Sequence, residues 1–407
     1  MHPCSRPGLT GPKQIRAATI AMKLNFKSPL LLMTLFFCAP AHSELSGPPI
    51  EDNNYNLDVR QGPIIGSARQ VALGGAYIGV AEGITALNSN PAGVAFRLER
   101  STTAFDWDWT TSLNDLKSTD FDNNGQSPPD YKSHQIVSLG VMGQYGPWGI
   151  GVLSNGEVLA LENPDGQENE YVLNTTSLAL GRQFLDRELT LGIGLRATMT
   201  KLRDKPLDVT LGKISGMSWE MGAVWNPDHG PFRFGAAYYS SISSDQSLSN
   251  TSGEPVTVNG LIVPQQLILP ASLGAGASYE VKSAPFWQSH KWLVAGDLLF
   301  TAASENAVGV ESVLAQVQQP VGTHNSVSVR IGSELETLPG RLRLRLGSYY
   351  EPSFYQGVAS RTHLTGGFEV RLFHSNLWGG NDWGLTLTAD SARDYLNIIA
   401  ALGFWYF

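Results

Sequence analysis

Three short runs in this 407-residue chain have residue types and spacing that could do chemistry. Asp120-Phe121-Asp122-Asn123-Asn124-Gly125 reads like the D-x-D-x-N-G opening of a calcium loop, in which oxygen ligands stand two residues apart and Gly permits a sharp turn. Asp120, Asp122 and Asn124 are its candidate Ca²⁺ ligands, although Tyr131 stands where such a loop needs a bidentate Glu. The second run is cationic: Arg341, Arg343 and Arg345, with Arg330 and Glu334 before it and Glu369 and Arg371 after it. A guanidinium can fork onto a ligand carboxylate, or it can pair with neighbouring acids across strands. Arg343 and Arg345 are the candidate ligand contacts. The third is apolar and lies within 256–269. An exposed apolar loop must pack or bind, which makes Leu261, Ile262, Val263 and Leu267 candidates for gathering a hydrophobic ligand. Covalent catalysis has no comparable carrier: H-E-x-x-H and G-x-S-x-G are absent and the histidines are scattered. No enzyme activity and no further cofactor are expected.

These side chains need a scaffold, and the first residues indicate where it is assembled. Met22-Lys23-Leu24-Asn25-Phe26-Lys27 is a basic n-region, Leu30 to Phe37 a short apolar core, and Ala41-His42-Ser43 a small-residue cleavage site. This is the form of a secretory signal peptide over 1–43, with Met22 as the expected start. Removing it takes away both cysteines, Cys4 and Cys38, so disulfides and thiol chemistry are excluded from the mature chain. It also removes five basic and no acidic side chains, moving the net charge from −8 to −13. Such a chain repels phosphate backbones, and nucleic acid is not expected as a partner.

From about residue 101 the sequence alternates with a period of two, which marks strands with one apolar face. Leu189, Leu191, Ile193 and Leu195 fall on one side, Thr190, Gly192, Gly194 and Arg196 on the other. Met217, Trp219 and Met221 alternate with Ser218 and Glu220, and Leu342, Leu344 and Leu346 with the arginine ladder. The pattern predicts an all-β fold of about fourteen strands, including 266–281 as one strand and 394–407 as the last. Many are long enough for the ~9–11 residues that cross a bilayer at a tilt. Connections alternate between long polar loops (112–133, 243–265, 304–323) and tight turns at Gly146-Pro147, Leu185-Asp186-Arg187 and Pro339. Tryptophans gather near the tight-turn ends: Trp148, Trp225, Trp287, Trp292, Trp378, Trp383 and Trp405. The chain ends Gly403-Phe404-Trp405-Tyr406-Phe407, a terminal Phe with an aromatic two before it. Together these predict a closed antiparallel transmembrane β-barrel over 101–407, sitting in outer-membrane lipid with an aromatic girdle. Its terminal Phe407 is the expected handle for the barrel-assembly machinery.

Residues 44–100 do not alternate; they are rich in Gly and Ala and predict a hatch or plug inside the lumen. The run Gly74-Gly75-Ala76-Tyr77, Ala81-Glu82-Gly83, Ala86-Leu87 and Asn90-Pro91-Ala92-Gly93 resembles the N-terminal hatch signature of the FadL/TodX superfamily of outer-membrane hydrophobic-compound transporters. It is also similar to the related group that includes PorV-type secretion proteins. Leu269-Pro270-Ala271-Ser272-Leu273-Gly274, Lys291-Trp292-Leu293-Val294-Ala295-Gly296-Asp297 and the stretch from Arg343 to Pro352 fit the same resemblance. Two features depart from it: Glu82 stands where the family more often has Asp, and the segment before Gly66 differs. The resemblance implies a hatch built on Gly74, Gly75, Asn90, Pro91 and Ala92, and hatch-gated uptake of fatty-acid-like or aromatic compounds from the outside. Its alternative is a PorV-like role in protein secretion or surface attachment.

Overall fold

A computed structural model of the protein describes residues 47–60, 62–97, 104–118, 120–126, 131–162, 168–204, 209–244, 255–258, 261–281, 291–376 and 381–405. The signal peptide, Trp287, Trp378 and the terminal Phe407 lie outside the described residues. Among the described residues, fourteen antiparallel strands close into a barrel. Numbered along the chain, they are β1 (Phe105–Leu116), β2 (Tyr131–Tyr145), β3 (Trp148–Glu162), β4 (Glu168–Phe184), β5 (Leu189–Asp204), β6 (Val209–Trp225) and β7 (Phe232–Tyr239). The second half comprises β8 (Ser272–Val281), β9 (Trp292–Thr301), β10 (Ser326–Leu338), β11 (Leu342–Glu351), β12 (Arg361–Ser375), β13 (Asn381–Ala392) and β14 (Tyr395–Phe404). Each strand pairs with its chain neighbour. The wall shuts where β14 pairs with β1 in the register Thr110↔Gly403, which leaves no sheet edge.

The two faces of the wall settle which way the alternation points. Leu346 is 68% exposed while Arg345 beside it is 1% exposed; Met217 is 65% exposed and Ser218 only 7%. The apolar set faces outward and the hydrophilic set is enclosed, the arrangement a lipid-embedded barrel requires and the reverse of a soluble sandwich. Trp148, Trp225 and Trp292 are exposed near the tight turns. Trp107, Trp383 and Phe404 cluster at the same end, with ring centroids 4.7 Å (Trp107–Phe404) and 5.8 Å (Trp383–Phe404) apart. Trp405 departs from the expected girdle: it is fully buried and its ring lies 4.1 Å from the Arg343 guanidinium. Regular alternation ends with the strand at Phe404, so parity no longer fixes the direction of the next side chain.

The predicted strand 266–281 is two elements. Gln266–Leu269 and β8 are separated at Pro270, which has no N–H to give to a ladder. Gln266–Leu269 belongs to a small sheet outside the wall, ordered Ala307–Val308, Asn56–Asp58, Gln266–Leu269, Ile242–Ser243. Asn56–Asp58 runs parallel to both of its neighbours. Residues 47–60 are therefore not part of the plug, as the sequence suggests, but the centre of a cap formed with the long loops. Ile50, Tyr55, Leu57, Val59, Leu267 and Val308 form the cap's apolar core. The remainder of the N-terminal segment, 62–97, packs within the wall.

Candidate functional site: a chamber between cap and hatch

The hatch is held by backbone contact, caps and ion pairs. Helix α1 (Ala68–Ala72) is N-capped by Ser67, whose hydroxyl accepts the Gln70 N–H at 3.2 Å. It ends on Gly74 (φ 59°) and Gly75 (φ 72°), left-handed positions that favour glycine. A side chain on Gly74 would also strike the wall, since a Cβ there would lie 2.6 Å from the Ile331 carbonyl oxygen. Wall threonines satisfy the helix's open groups: Thr388 donates to Ala68 O at 2.9 Å, and Thr365 donates to Ala72 O at 3.1 Å while accepting from Gly74 N at 3.1 Å.

Asn90, Pro91 and Ala92 form the next anchor. Asn90 is extended (φ −161°), as the residue before Pro prefers. Its Oδ1 accepts the Ala92 N–H at 3.1 Å, and its Nδ2 donates to Ile78 O at 2.9 Å within the hatch and to Ala223 O at 3.0 Å in β6. The motif therefore works as a turn and a brace together. Asp297 on β9 adds a third tie, accepting from Tyr77 N at 2.6 Å and Ile78 N at 2.8 Å.

The wall meets this segment with glycine. A Cβ on Gly149 would sit 1.9 Å from Val94 O, on Gly235 2.0 Å from Ile78 O, and on Gly332 2.2 Å from Leu73 O. Gly274 and Gly276, which the sequence suggests as small outward residues of a strand, instead face inward onto Ile78 and Gly79. These positions look on the sequence like ordinary small residues of a strand; only the approach of a second backbone shows why they carry no side chain.

The arginine ladder divides. Arg341 and Arg371 are exposed near the tight turns, and Arg371 pairs with Asp382 at 3.2 Å. Arg343 and Arg345 are buried among acids. Glu334 accepts from Arg69 of the hatch at 2.8 Å and from Arg345 at 2.6 Å, and Arg345 also bonds Glu369. Arg69 continues to Glu82 at 2.8 Å, and Glu82 to Arg233 at 2.5 Å. The candidate ligand contacts Arg343 and Arg345 thus belong to the network that fastens hatch to wall.

The D-x-D-x-N-G motif lies in the loop after β1 and folds as a closed polar turn. Asp120 accepts from Asn124 N at 2.9 Å and Gly125 N at 3.1 Å, Asn124 donates to Glu311 at 2.7 Å, and Asp122 accepts from the Tyr355 hydroxyl. Arg361 holds the loop by donating to Asp120 O at 2.7 Å and Phe121 O at 2.8 Å. Burial, reinforced by Asp120 and opposed by the Tyr355 bond, pushes Asp122 up to about 7. Burial and the charges of Asp122 and Asp120 push Glu311 well above the usual carboxylate range. Among the described residues no group of three or more His, Cys, Asp or Glu is disposed to hold a metal ion. Of the apolar candidates, Leu267 is fully buried in the cap and Ile262 packs against its core, while Leu261 and Val263 are half-buried. Asn53 ties the backbone here by donating to Val256 O and Val263 O at 2.8 Å, and Tyr55 by donating to Ile262 O at 2.6 Å.

Between cap and hatch lies a chamber of about 220 Å³. Ile64, Ile65 and Ile78 of the hatch segment, Leu173 and Leu299 of the wall and Leu269 of the cap supply its apolar surface. Gln70, Asn155, Thr175, Ser177, Arg196 and Arg330 supply polar points. Its one carboxylate, Glu157, is bonded to His134 at 2.6 Å. Of the sequence candidates, none of Leu261, Ile262, Val263, Leu267, Arg343 or Arg345 reaches it; Leu269 and Arg330, one step away in each run, do.

No protein-family model and no curated protein matches the chain. Solved structures do. The CymD monoaromatic hydrocarbon channel matches with a TM-score of 0.52 at 13% identity, covering 83% of this chain and 96% of its own. A Pseudomonas aeruginosa FadL homologue gives 0.54 at 12% identity, covering 86% and 99%. The P. putida toluene transporter TodX gives 0.52 at 14% identity, covering 83% and 97%. The chain has the fourteen-stranded fold of these FadL/TodX-type channels, an outer-membrane barrel architecture.

Proposed function

We propose that the protein is an outer-membrane channel that takes up small hydrophobic compounds, binding them in the chamber and releasing them when the hatch shifts. The observation that carries this reading is a space lined by both apolar and polar side chains between a cap of long loops and a segment laid across the barrel. A solute collected at the cap exchanges water for Ile64, Ile78, Leu173, Leu269 and Leu299, which is favourable by roughly 25 cal/mol per Å² of apolar surface. No covalent step is needed; the channel supplies affinity and a path. The fold shared with a toluene transporter and a monoaromatic hydrocarbon channel supports the same assignment. A secretion role similar to PorV would call on exposed apolar loops, whereas Leu267 is buried in the cap core and Ile262 packs against it.

Uptake of radiolabelled toluene into proteoliposomes tests the reading. Wild-type protein is expected to accelerate entry over empty liposomes, and Thr175→Trp, which fills the chamber from β4, is expected to abolish the acceleration while the barrel keeps its heat-modifiable gel mobility. Equal uptake by folded Thr175→Trp and wild type would remove the chamber from the path.

A further inference from the structure

The outward face of the wall carries a charge among apolar neighbours. Arg182 lies on the outward row of β4, after Leu178 and Leu180 and before Phe184, and it is exposed while Gly181 and Gln183 beside it are buried. Its partners by register are Trp148 on β3 and Leu191 on β5, so no acid stands opposite it on either side. The guanidinium packs against aromatic rings instead, 4.8 Å from the Trp148 centroid and 4.9 Å from that of Phe184, and it makes no ion pair with any described residue. The acids nearest along the chain, Asp186 and Glu188, belong to the turn beyond Phe184, where Glu188 accepts from Asp228 N at 3.2 Å. Cation–π contact holds the head of Arg182 at the depth of the girdle, which is the depth of lipid headgroups. Short turns of such barrels face the periplasm.

Beside this arginine the wall is notched. A groove of about 750 Å³ runs over β1 to β4, lined on the outward rows by Phe105, Trp107, Val141, Ile150, Val152 and Leu178. Gly143 also lines it and is paired with Trp107 on β1 and Ile150 on β3. A Cβ on Gly143 would meet nothing closer than the Phe105 ring at 3.8 Å. Unlike Gly149 or Gly235, this glycine is not required by the hatch; the wall has room for a side chain there and lacks one. Ile150 pairs with Leu180, and the next outward pair toward the turn is Trp148 with Arg182. The guanidinium therefore stands one outward step past the groove, on its headgroup side.

We propose that the groove and Arg182 together form a site for a phospholipid of the periplasmic leaflet, its phosphate on Arg182 and one acyl chain laid over Gly143 against Val141, Ile150, Val152 and Leu178. Charge complementarity selects this occupant. An acyl chain alone would fill the notch and leave the guanidinium facing only rings, whereas its paired N–H donors match the oxygens of a phosphate. The site lies on the outside of the wall, apart from chamber and hatch, so it stands or falls independently of the uptake reading.

Phosphatidylglycerol and a diacylglycerol with the same chains differ by the phosphate headgroup, so the pair isolates the inference. Native mass spectrometry of the purified protein, incubated in detergent with equal amounts of both, is expected to show wild type retaining phosphatidylglycerol about fivefold or more over diacylglycerol. Arg182→Gln is expected to bring that ratio close to one, and Gly143→Leu, which fills the notch, to lower retention of both lipids. Heat-modifiable gel mobility shows that each variant is folded, and each ratio is taken within one protein. Equal retention of the two lipids by wild type would overturn the phosphate assignment. A ratio unchanged by Arg182→Gln would overturn the role of Arg182, and unchanged retention by folded Gly143→Leu would overturn the groove. Barrels that carry neither lipid and fly as dimers would give this face to a second copy of the chain and overturn the proposal.

Discussion

The contact between Gly235 and the hatch gives the sharpest test of how the lumen is closed. A Cβ at 235 would lie 2.0 Å from Ile78 O, 2.6 Å from Ile78 C and 2.9 Å from Gly79 Cα. Carbon and carbonyl oxygen meet at roughly 3.3 Å, so Gly235→Ala requires backbone to move by about an ångström. The wall cannot retreat, because β7 is paired on both sides, to β6 and β8. The hatch must therefore lift at Ile78, straining the two Asp297 bonds and the Asn90 amide bond. Overpacking of this kind costs about 1–3 kcal/mol, and weakened bonds to a charged acceptor add to it. A loss of roughly 2–3 kcal/mol from the seated hatch raises the displaced population roughly 30- to 150-fold. In a Cys4→Ser, Cys38→Ser background, Ala76→Cys places a single thiol at a fully buried hatch position. Its labelling rate by a hydrophilic maleimide reports hatch opening. The rate is expected to rise by that factor in Gly235→Ala and to stay unchanged in Gly366→Ala, where the nearest atom to a new Cβ is 3.4 Å away. Equal labelling in both backgrounds would refute the argument that glycines in the wall seat the hatch.

Three further outcomes follow from the same geometry. Asn90→Ala removes donors to Ile78 O and Ala223 O and is expected to lower the protease resistance of the hatch by about 1–3 kcal/mol, with the barrel's own melting unaffected. Glu334→Gln leaves Arg69 and Arg345 sharing one fewer buried acid; a hatch destabilisation of about 3–5 kcal/mol is expected, read by the same thiol-labelling rate. At the cap, Asp122 is raised to about 7 when folded against ~3.9 in the unfolded chain, so the folded state holds the extra proton across that interval. Its contribution is then full below about pH 4 and is lost as pH rises through 7. The hydrogen-exchange protection of 120–126, taken relative to the intrinsic rate at each pH, should fall between pH 5 and pH 8 in wild type. Asp122→Asn should flatten that change while Tyr355, Asp120, Glu311 and Arg361, the groups facing it, remain in place.

How much of this could be read from the sequence depends on how local each signal is. The wall strands announce themselves because every second residue must meet an apolar surface, so Leu191, Ile193 and Leu195 against Thr190 and Arg196 suffice to mark β5, while which face turns outward needs the closed wall. Break points with backbone chemistry are equally visible in hindsight at Pro270. Asn56–Asp58 is different: it is three residues long and pairs with partners some 210 and 250 positions away, so no periodicity marks it. The arginine ladder was legible as lumen-facing, but not which member would find an acid. Arg345 meets Glu334 and Glu369, whereas Arg330, the same residue type one strand earlier, stands across from Asp297, whose bonds go to the hatch. Glycines of the wall carry a signal only jointly with the hatch, since Gly149, Gly235 and Gly332 are explained by the carbonyls of Val94, Ile78 and Leu73.

If the barrel passes apolar molecules as proposed, that division lets it be sealed and still conduct them. If the hatch were held by apolar packing alone, a hydrophobic solute would compete for the same surfaces and dissolve the seal it must cross. Here apolar clusters such as Leu73, Tyr77 and Val80 against Val224 and Leu293 are joined by close backbone contacts, the Asn90 brace, the Asp297 bonds and the Arg69–Glu82–Arg233 and Arg69–Glu334–Arg345 pairs. A solute can replace none of these polar ties. The surface it can wet is the chamber side, Ile64, Ile65 and Ile78. Ile78 is common to both sets: its side chain lines the chamber while its N–H and C=O are held by Asp297 and Asn90. In the proposed uptake, a ligand that displaces the Ile78 side chain would therefore pull directly on two anchors of the seal, and this residue is where we propose that occupancy of the chamber is converted into movement of the hatch.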